Sequence, residues 1–493
     1  MSLPRRTSRL PAEVYAQASP RSQGDQSLFD VATDMDRSPL AATSDPQTII
    51  EAADELRRRG FRILHTARTT INIAAPPELY EQEFHCSLET EERQVATATG
   101  DTVSVTCVTS HTEQPSRGTR LPGFIDTTAA AGPTLIEGIA IEEPRILFES
   151  PFAPPKNYWH LNVPGDVSAG CNASEAHRAS ITGVGVHVAM VDSGLYQHPY
   201  FLNRGYRVNP VVLGPGTADP MADEDGHGTA ESVNVFAVAP DARLTMVKMS
   251  PLNTIGAFNM AVSLRPDVIT CSWGGDKETE AELTAADVAL IASIRLAVAR
   301  GVVVVFAAGN GHFGFPGQHP DVISVGGTFM DADGSLRASD YASGFTSRIY
   351  PGRDVPDLTG LVGMRPRAAY IMSPVPPGSR IDTEFGGDQP HPLGDETGTA
   401  DGWAAISGTS AAAPQVAGAC ALIRQAYPNL PPRQVAAFLT AHARDVTAGS
   451  CFKRPGMGHD AVSGPDLATG SGLLDASASA LAARQDAVNN SIR

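Results

Sequence analysis

The feature that most constrains this chain is a series of short apolar runs in its second half. VGVHVAMV (184–191), ARLTMVKM (242–249), DVITCSW (267–273), GVVVVFA (301–307) and DVISVGG (321–327) are apolar through most of their length. Runs of that kind are strands covered on both faces. Between them the sequence predicts helices near 229–237, 255–264 and 279–300, with two more at 410–427 and 432–443. Strand and helix in alternation make βαβ units, so the expected class is α/β, a doubly wound and mostly parallel sheet with helices on both faces. In such sheets the chemistry collects at the carboxyl ends of the strands.

The 493 residues exceed what one such unit needs, and the first half has a different texture. Residues 1–44 begin basic and helix-poor and are expected to be a disordered tail. TIIEAADELRRRG (48–60) has helical spacing closed by a glycine, FRILHTA and TTINIAA alternate like strands, and TVSVTCVTS (102–110) alternates again. A small α+β domain is therefore expected over 45–145. The Pro-rich stretch ESPFAPPKNYWHLNVPG (149–165) marks a linker, taken as 146–180. The α/β domain is expected over 181–480, with a tail at 481–493.

Charge and cysteine use exclude several functions. Thirty-seven Lys and Arg against 54 Asp and Glu give a net charge of −17, the wrong sign for a general nucleic-acid binder. No apolar run approaches the roughly 20 residues of a membrane span. The six cysteines (86, 107, 171, 271, 420 and 451) form no C-x-x-C pair, so no zinc site is legible. No apolar h-region follows the basic start. The expected location is cytoplasmic, with reduced thiols and non-standard export as the alternative.

Three segments carry the chemistry. VAMVDSGL (188–195) is a buried strand ending in Asp192. DEDGHGTAES (223–232) sets His227 between glycines just before a helix. SGTSAAAPQVAGACALI (407–423) sets Ser410 where a loop enters a helix apolar on nearly all sides, with Pro414 expected in its first turn. Each segment alone is common. In the order Asp, His, Ser, at strand-exit positions, they are specific.

On these residues the stretch from about 155 to 480 resembles the subtilisin-like serine peptidases, the subtilases. The resemblance implies a serine endopeptidase working through an acyl-enzyme: Ser410 the nucleophile, His227 the general base, Asp192 the residue that holds the imidazole. VVVVFAAGNGH (302–312) matches the family's oxyanion segment, which makes Asn310 the side-chain donor to the developing oxyanion. CSWGG (271–275) is similar to the strand that pairs with an extended substrate. Ser272, Trp273 and Gly274 would then bind peptide through their main chain, with Trp273 as a subsite wall. Ala307, Ala308 and Gly309 would line the primary specificity pocket. A peptide ligase using the same acyl-enzyme and a silent peptide-binding scaffold are the alternatives.

The chain departs from the family in places. Ala230 stands where many relatives have a second His, and Ala411 where a Met often follows the nucleophile. The short connection after His227 lacks the calcium loop of secreted subtilisins. RDVTAGS (444–450) and SGPDLATGSG (463–472) resemble the calcium-binding end of sedolisins, which implies Asp445 and Asp466 as ligands of a structural calcium; the chemistry itself requires no cofactor. The acidic stretch 380–402 is expected to be a solvated loop or a flap favouring basic substrates. The expected partners are a peptide or protein substrate and the chain's own N-terminal domain, which resembles a propeptide and would act as an intramolecular inhibitor in a zymogen. Nucleic acid and membrane are not expected partners.

Overall fold

The computed structural model describes residues 9–24, 26–32, 34–96, 102–111, 121–147, 159–390 and 392–491. Its centre is a nine-stranded sheet, and the chemistry-bearing part is parallel. His187–Asp192 lies in the middle, with Arg243–Lys248 on one side and Val268–Cys271, Val303–Ala307 and Ile323–Met330 following on the other. Strict alternation along these strands divides the core into two layers. Val188 and Met190 face the cluster that holds the Ser410 helix, while Ala189 and Val191 face the opposite cluster, built on helices Thr254–Ser263 and Ala285–Ala299. Val303 and Val305 against Val304 and Phe306 repeat the division. Both faces are buried, which is why the runs lack polar alternation.

The N-terminal unit is an antiparallel sheet in the order Arg62–Thr66, Ile71–Ala75, Val14–Pro20, Ile136–Ile141, Phe124–Ile125. Helices Pro46–Arg58 and Pro77–Phe84 cover one face through Ala52, Leu56, Tyr80 and Phe84. The other face lies against the α/β unit. Asn72 and Asn253 exchange amide hydrogen bonds of 2.8 and 3.0 Å there, and Asn259 donates to Thr70.

Three boundary expectations fail. Residues 9–44 are no tail where described: Val14–Pro20 is the central strand of the small sheet. Its VYAQASP sequence hides this because its buried residues are small or polar; Gln17 is fully buried and donates to Glu142 at 2.8 Å. The buried Arg295 then draws the following chain onto the α/β unit by donating to the carbonyls of Ala32, Asp34 and Arg37. Of the expected linker, 148–158 lies outside the described residues, but Leu161–Asn162 pairs with Ile371–Pro374 and Gly165–Gly170 is helical. At the other end, helix Ala476–Ser491 runs through the expected tail, with Ala480 and Ala483 in the core. Among the described residues no helix is long and apolar enough to cross a membrane.

Candidate active site

Asp192 is the last residue of the central strand, and its position at the carboxyl edge is fixed by pairing with Lys248 on one neighbour while Val191 pairs with Cys271 on the other. One carboxylate oxygen, Oδ1, accepts from the Ser193 N–H at 2.7 Å and from His227 Nδ1 at 2.7 Å. Both side chains are buried. A carboxylate accepts only, so Nδ1 carries the proton and Nε2 is left as the basic nitrogen of the neutral ring.

His227 opens the helix His227–Val238 and is aimed by what lies before it. Gly226 holds φ at 95°, a left-handed conformation that favours glycine. Asp223, buried four residues upstream, clamps the turn: its carboxylate accepts from Gly226 N–H, Thr229 N–H, Thr229 Oγ1 and Ser193 Oγ at 2.6–3.0 Å. Burial pushes the Asp223 carboxyl up, and these donors oppose it. Asp223, Ser193 and Thr229 were not singled out in the sequence, although D-E-D-G-H-G places an acid at the right distance.

Ser410 is the second residue of helix Thr409–Ala426, entered through Gly408 at φ 131°. Its Oγ donates to the Ser272 carbonyl at 3.3 Å, and Ser272 Oγ donates back to the Ser410 carbonyl at 2.9 Å. Pro414 explains the second bond and corrects an expectation. It lies beyond the first turn, where its N–H would have met the Ser410 carbonyl. With that donor missing, the carbonyl is available to Ser272, and the nucleophile's backbone is tied to the strand beside it.

Asn310 is buried next to this helix start. Its Oδ1 accepts from Thr409 N–H and Thr409 Oγ1, both at 3.0 Å. The N–H can only donate, so the amide orientation is determined, and among the described residues the Nδ2 group has no hydrogen-bond partner. A buried amide donor kept unpaired is what an oxyanion hole requires. Thr409, which also binds the Gly309 N–H at 3.2 Å, was missed in the sequence.

The substrate-binding expectations divide. The main chain of Trp273 and Gly274 pairs antiparallel with Leu147 and Ile146, the end of the N-terminal unit. The Trp273 side chain is no subsite wall. It is fully buried, donates Nε1–H to the Val191 carbonyl at 2.9 Å and packs edge-on to Phe306. Ala307 and Ala308 also turn their methyls into core clusters, and Gly314 and Gly317 approach their carbonyls too closely to admit a Cβ. These residues offer backbone, not side chains, to any pocket.

The two carboxylates of the expected calcium site each accept hydrogen bonds from the protein. Asp466 accepts from the N–H groups of Val462, Ala468 and Thr469, and Asp445 accepts from Gly464 N–H and Ser463 Oγ. Both carboxylates are turned to donors, which clamps two turns, and among the described residues no cluster of three metal-type side chains occurs. The acidic stretch is likewise partly internal. Asp382 and Asp395 are buried and accept backbone N–H groups of Gly378 and Ala405.

The model of the subtilase family matches residues 183–458. The chain belongs to the subtilase family. This subtilase is 28% identical to subtilisin E of Bacillus subtilis over 298 residues, 56% of this chain and 64% of that one. It is also 28% identical to subtilisin Savinase of Lederbergia lenta over 285 residues, 54% of this chain and 86% of the other. Its fold is similar to that of fervidolysin from Fervidobacterium pennivorans, with a TM-score of 0.56 at 17% identity, covering 97% of this chain and 62% of that one. The subtilase thus spans less than two thirds of the length of subtilisin E and of fervidolysin.

Proposed function

We propose that this subtilase is a serine endopeptidase that hydrolyses peptide bonds through an acyl-enzyme on Ser410. The observation that carries the reading is the fixed Asp192–His227 pair, which leaves Nε2 basic at the edge of the sheet where Ser410 and the unpaired Asn310 amide also lie. In the proposed reaction Ser410 Oγ attacks the scissile carbonyl and its proton passes to His227 Nε2. Asp192 stabilises the imidazolium without taking the proton. Charge developing on the carbonyl oxygen meets Asn310 Nδ2 and the Ser410 N–H at its helix start. The imidazolium then protonates the leaving amine as the C–N bond breaks, and water attacks the acyl-enzyme by the same route in reverse. Subtilase chemistry runs on these side chains and needs no cofactor.

The substrate is a peptide or protein in extended form, bound by strand addition to Trp273–Gly274. The N-terminal unit is proposed to be an intramolecular inhibitor, because Ile146–Leu147 already occupies that strand edge and would compete with substrate for it. The test is intact mass spectrometry with a fluorophosphonate probe. Wild type is expected to gain one probe mass and Ser410→Ala none. Labelling that survives Ser410→Ala, or a wild type that stays unlabelled even after removal of the N-terminal unit, would overturn the proposal.

A further inference from the structure

The catalytic imidazole has a second carboxylate beside it that the Asp-His-Ser reading does not use. Glu231 lies one helical turn after His227, so both side chains share a face of the same helix. It is fully buried, and its Oε1 lies 3.9 Å from His227 Nε2, beyond a hydrogen bond but within ion-pair reach. The nitrogen concerned is the one that must accept the proton of Ser410.

A one-way chain of hydrogen bonds orients this carboxylate. The Leu361 N–H donates to Gln415 Oε1 at 2.7 Å, which forces the Gln415 amide nitrogen to the other side. Gln415 Nε2 donates to Asn234 Oδ1 at 3.2 Å, and Asn234 Nδ2 in turn donates to Glu231 Oε2 at 3.1 Å. Every step is fixed by the backbone N–H at its start, because an amide that accepts at oxygen can only donate at nitrogen. Oε2 is therefore an acceptor and holds no proton. Any proton that the pair shares lies between Oε1 and Nε2.

We propose that Glu231 is a positioning residue for His227, a second carboxylate that retains a proton on the imidazole edge and so sets the pH above which Nε2 can serve Ser410. The inference rests on the reading of His227 as the base. The sign follows from the charge. An ionised Glu231 3.9 Å from Nε2 favours the imidazolium, so Nε2 gives up its proton at higher pH than it would beside a neutral residue, and the pair titrates as a unit. An opposite charge at this range moves a titration by about one to three pH units. On its other edge the ring faces Asp192 of the central strand, whose carboxylate also acts on Cys271 of the adjacent strand, while Asp223 holds the turn that precedes the ring. The Ser410 helix presents the neutral Gln415 on this side.

The test is the rate of fluorophosphonate labelling at Ser410 in the full chain, followed by intact mass across the acid and neutral range. For Glu231→Gln the acid limb is expected to move down by about one pH unit or more, a roughly ten-fold faster labelling well below the wild-type limb. Glu231→Asp keeps the charge but withdraws it, so its limb should fall between the two. A Glu231→Gln limb that coincides with wild type, in a chain of unchanged melting temperature, overturns the inference. If Glu231→Gln does not fold, Glu231→Asp decides: a limb moved to lower pH supports the inference, and an unmoved one overturns it. Wild type with no Ser410-dependent labelling at any pH, even after removal of the N-terminal unit, would instead overturn the activated-serine reading, and the inference with it.

Discussion

Replacing Arg145 by Met should loosen the N-terminal unit from the substrate edge by a predictable amount. Arg145 is buried where the small domain ends, directly before the Ile146–Leu147 strand. Its guanidinium lies 2.6 Å from Asp287 at the start of the Ala285–Ala299 helix and 3.3 Å from Glu143. Lys277 of the catalytic unit sits 3.1 Å from Glu143 and 3.4 Å from Asp287. With Arg93 also paired to Glu143, three cations and two carboxylates thus form one latch across the two units, and the cations Arg145 and Lys277 hold the Asp287 carboxyl below its ordinary range despite its burial. Removing one partner of a buried pair costs roughly 3–5 kcal/mol. Lys277 remains to compensate Asp287, so the lower end, about 3 kcal/mol, applies. That corresponds to a population of open edge raised on the order of 10². The assay is amide hydrogen exchange on Ser410→Ala chains, which cannot process themselves, with and without Arg145→Met. Protection of the Trp273–Asp276 strand should fall by about two orders of magnitude, while the Val303–Ala307 strand is unchanged. Equal protection of the first strand in both chains would refute the latch, since then the charges contribute nothing to docking.

Two further outcomes follow from the same geometry. Asn310→Ala removes the unpaired Nδ2 and should lower kcat by roughly 10²–10³ with a much smaller change in KM, as read in steady-state peptide hydrolysis. His319 is fully buried, accepts the Asp321 N–H at Nδ1, and is pushed down to about 4 by burial. Its folded state binds fewer protons than the unfolded chain, so its contribution is present above an unfolded pKa of about 6.5 and is lost as pH falls through 4. The difference amounts to about 3 kcal/mol, and melting curves from pH 7 to 4 should flatten in His319→Gln.

How much of this was legible in the sequence depends on how local each cause is. The parallel core was readable because strands buried on both faces must be apolar at every position, as in Val303–Ala307. The first strand, Val14–Pro20, was not, because its buried Gln17 and Ser19 are satisfied by Glu142 and Glu137, more than a hundred residues away. Trp273 illustrates the reverse error. A motif locates its main chain on a strand but says nothing about which side of the sheet its indole takes, and packing against Phe306 decides that.

By itself, then, the sequence determined the layered α/β scaffold and singled out Asp192, His227, Asn310 and Ser410 as candidates, since residue type and strand-end position follow from short segments. Only the tertiary structure decided the directions: which amide edge of Asn310 is left to donate, which oxygen of Glu231 meets the imidazole, and which backbone N–H groups Asp466 accepts. Hydrogen-bond direction depends on partners brought together by folding from far apart in the chain, as Gln415 is brought to Asn234 across 181 residues, and no local pattern encodes it.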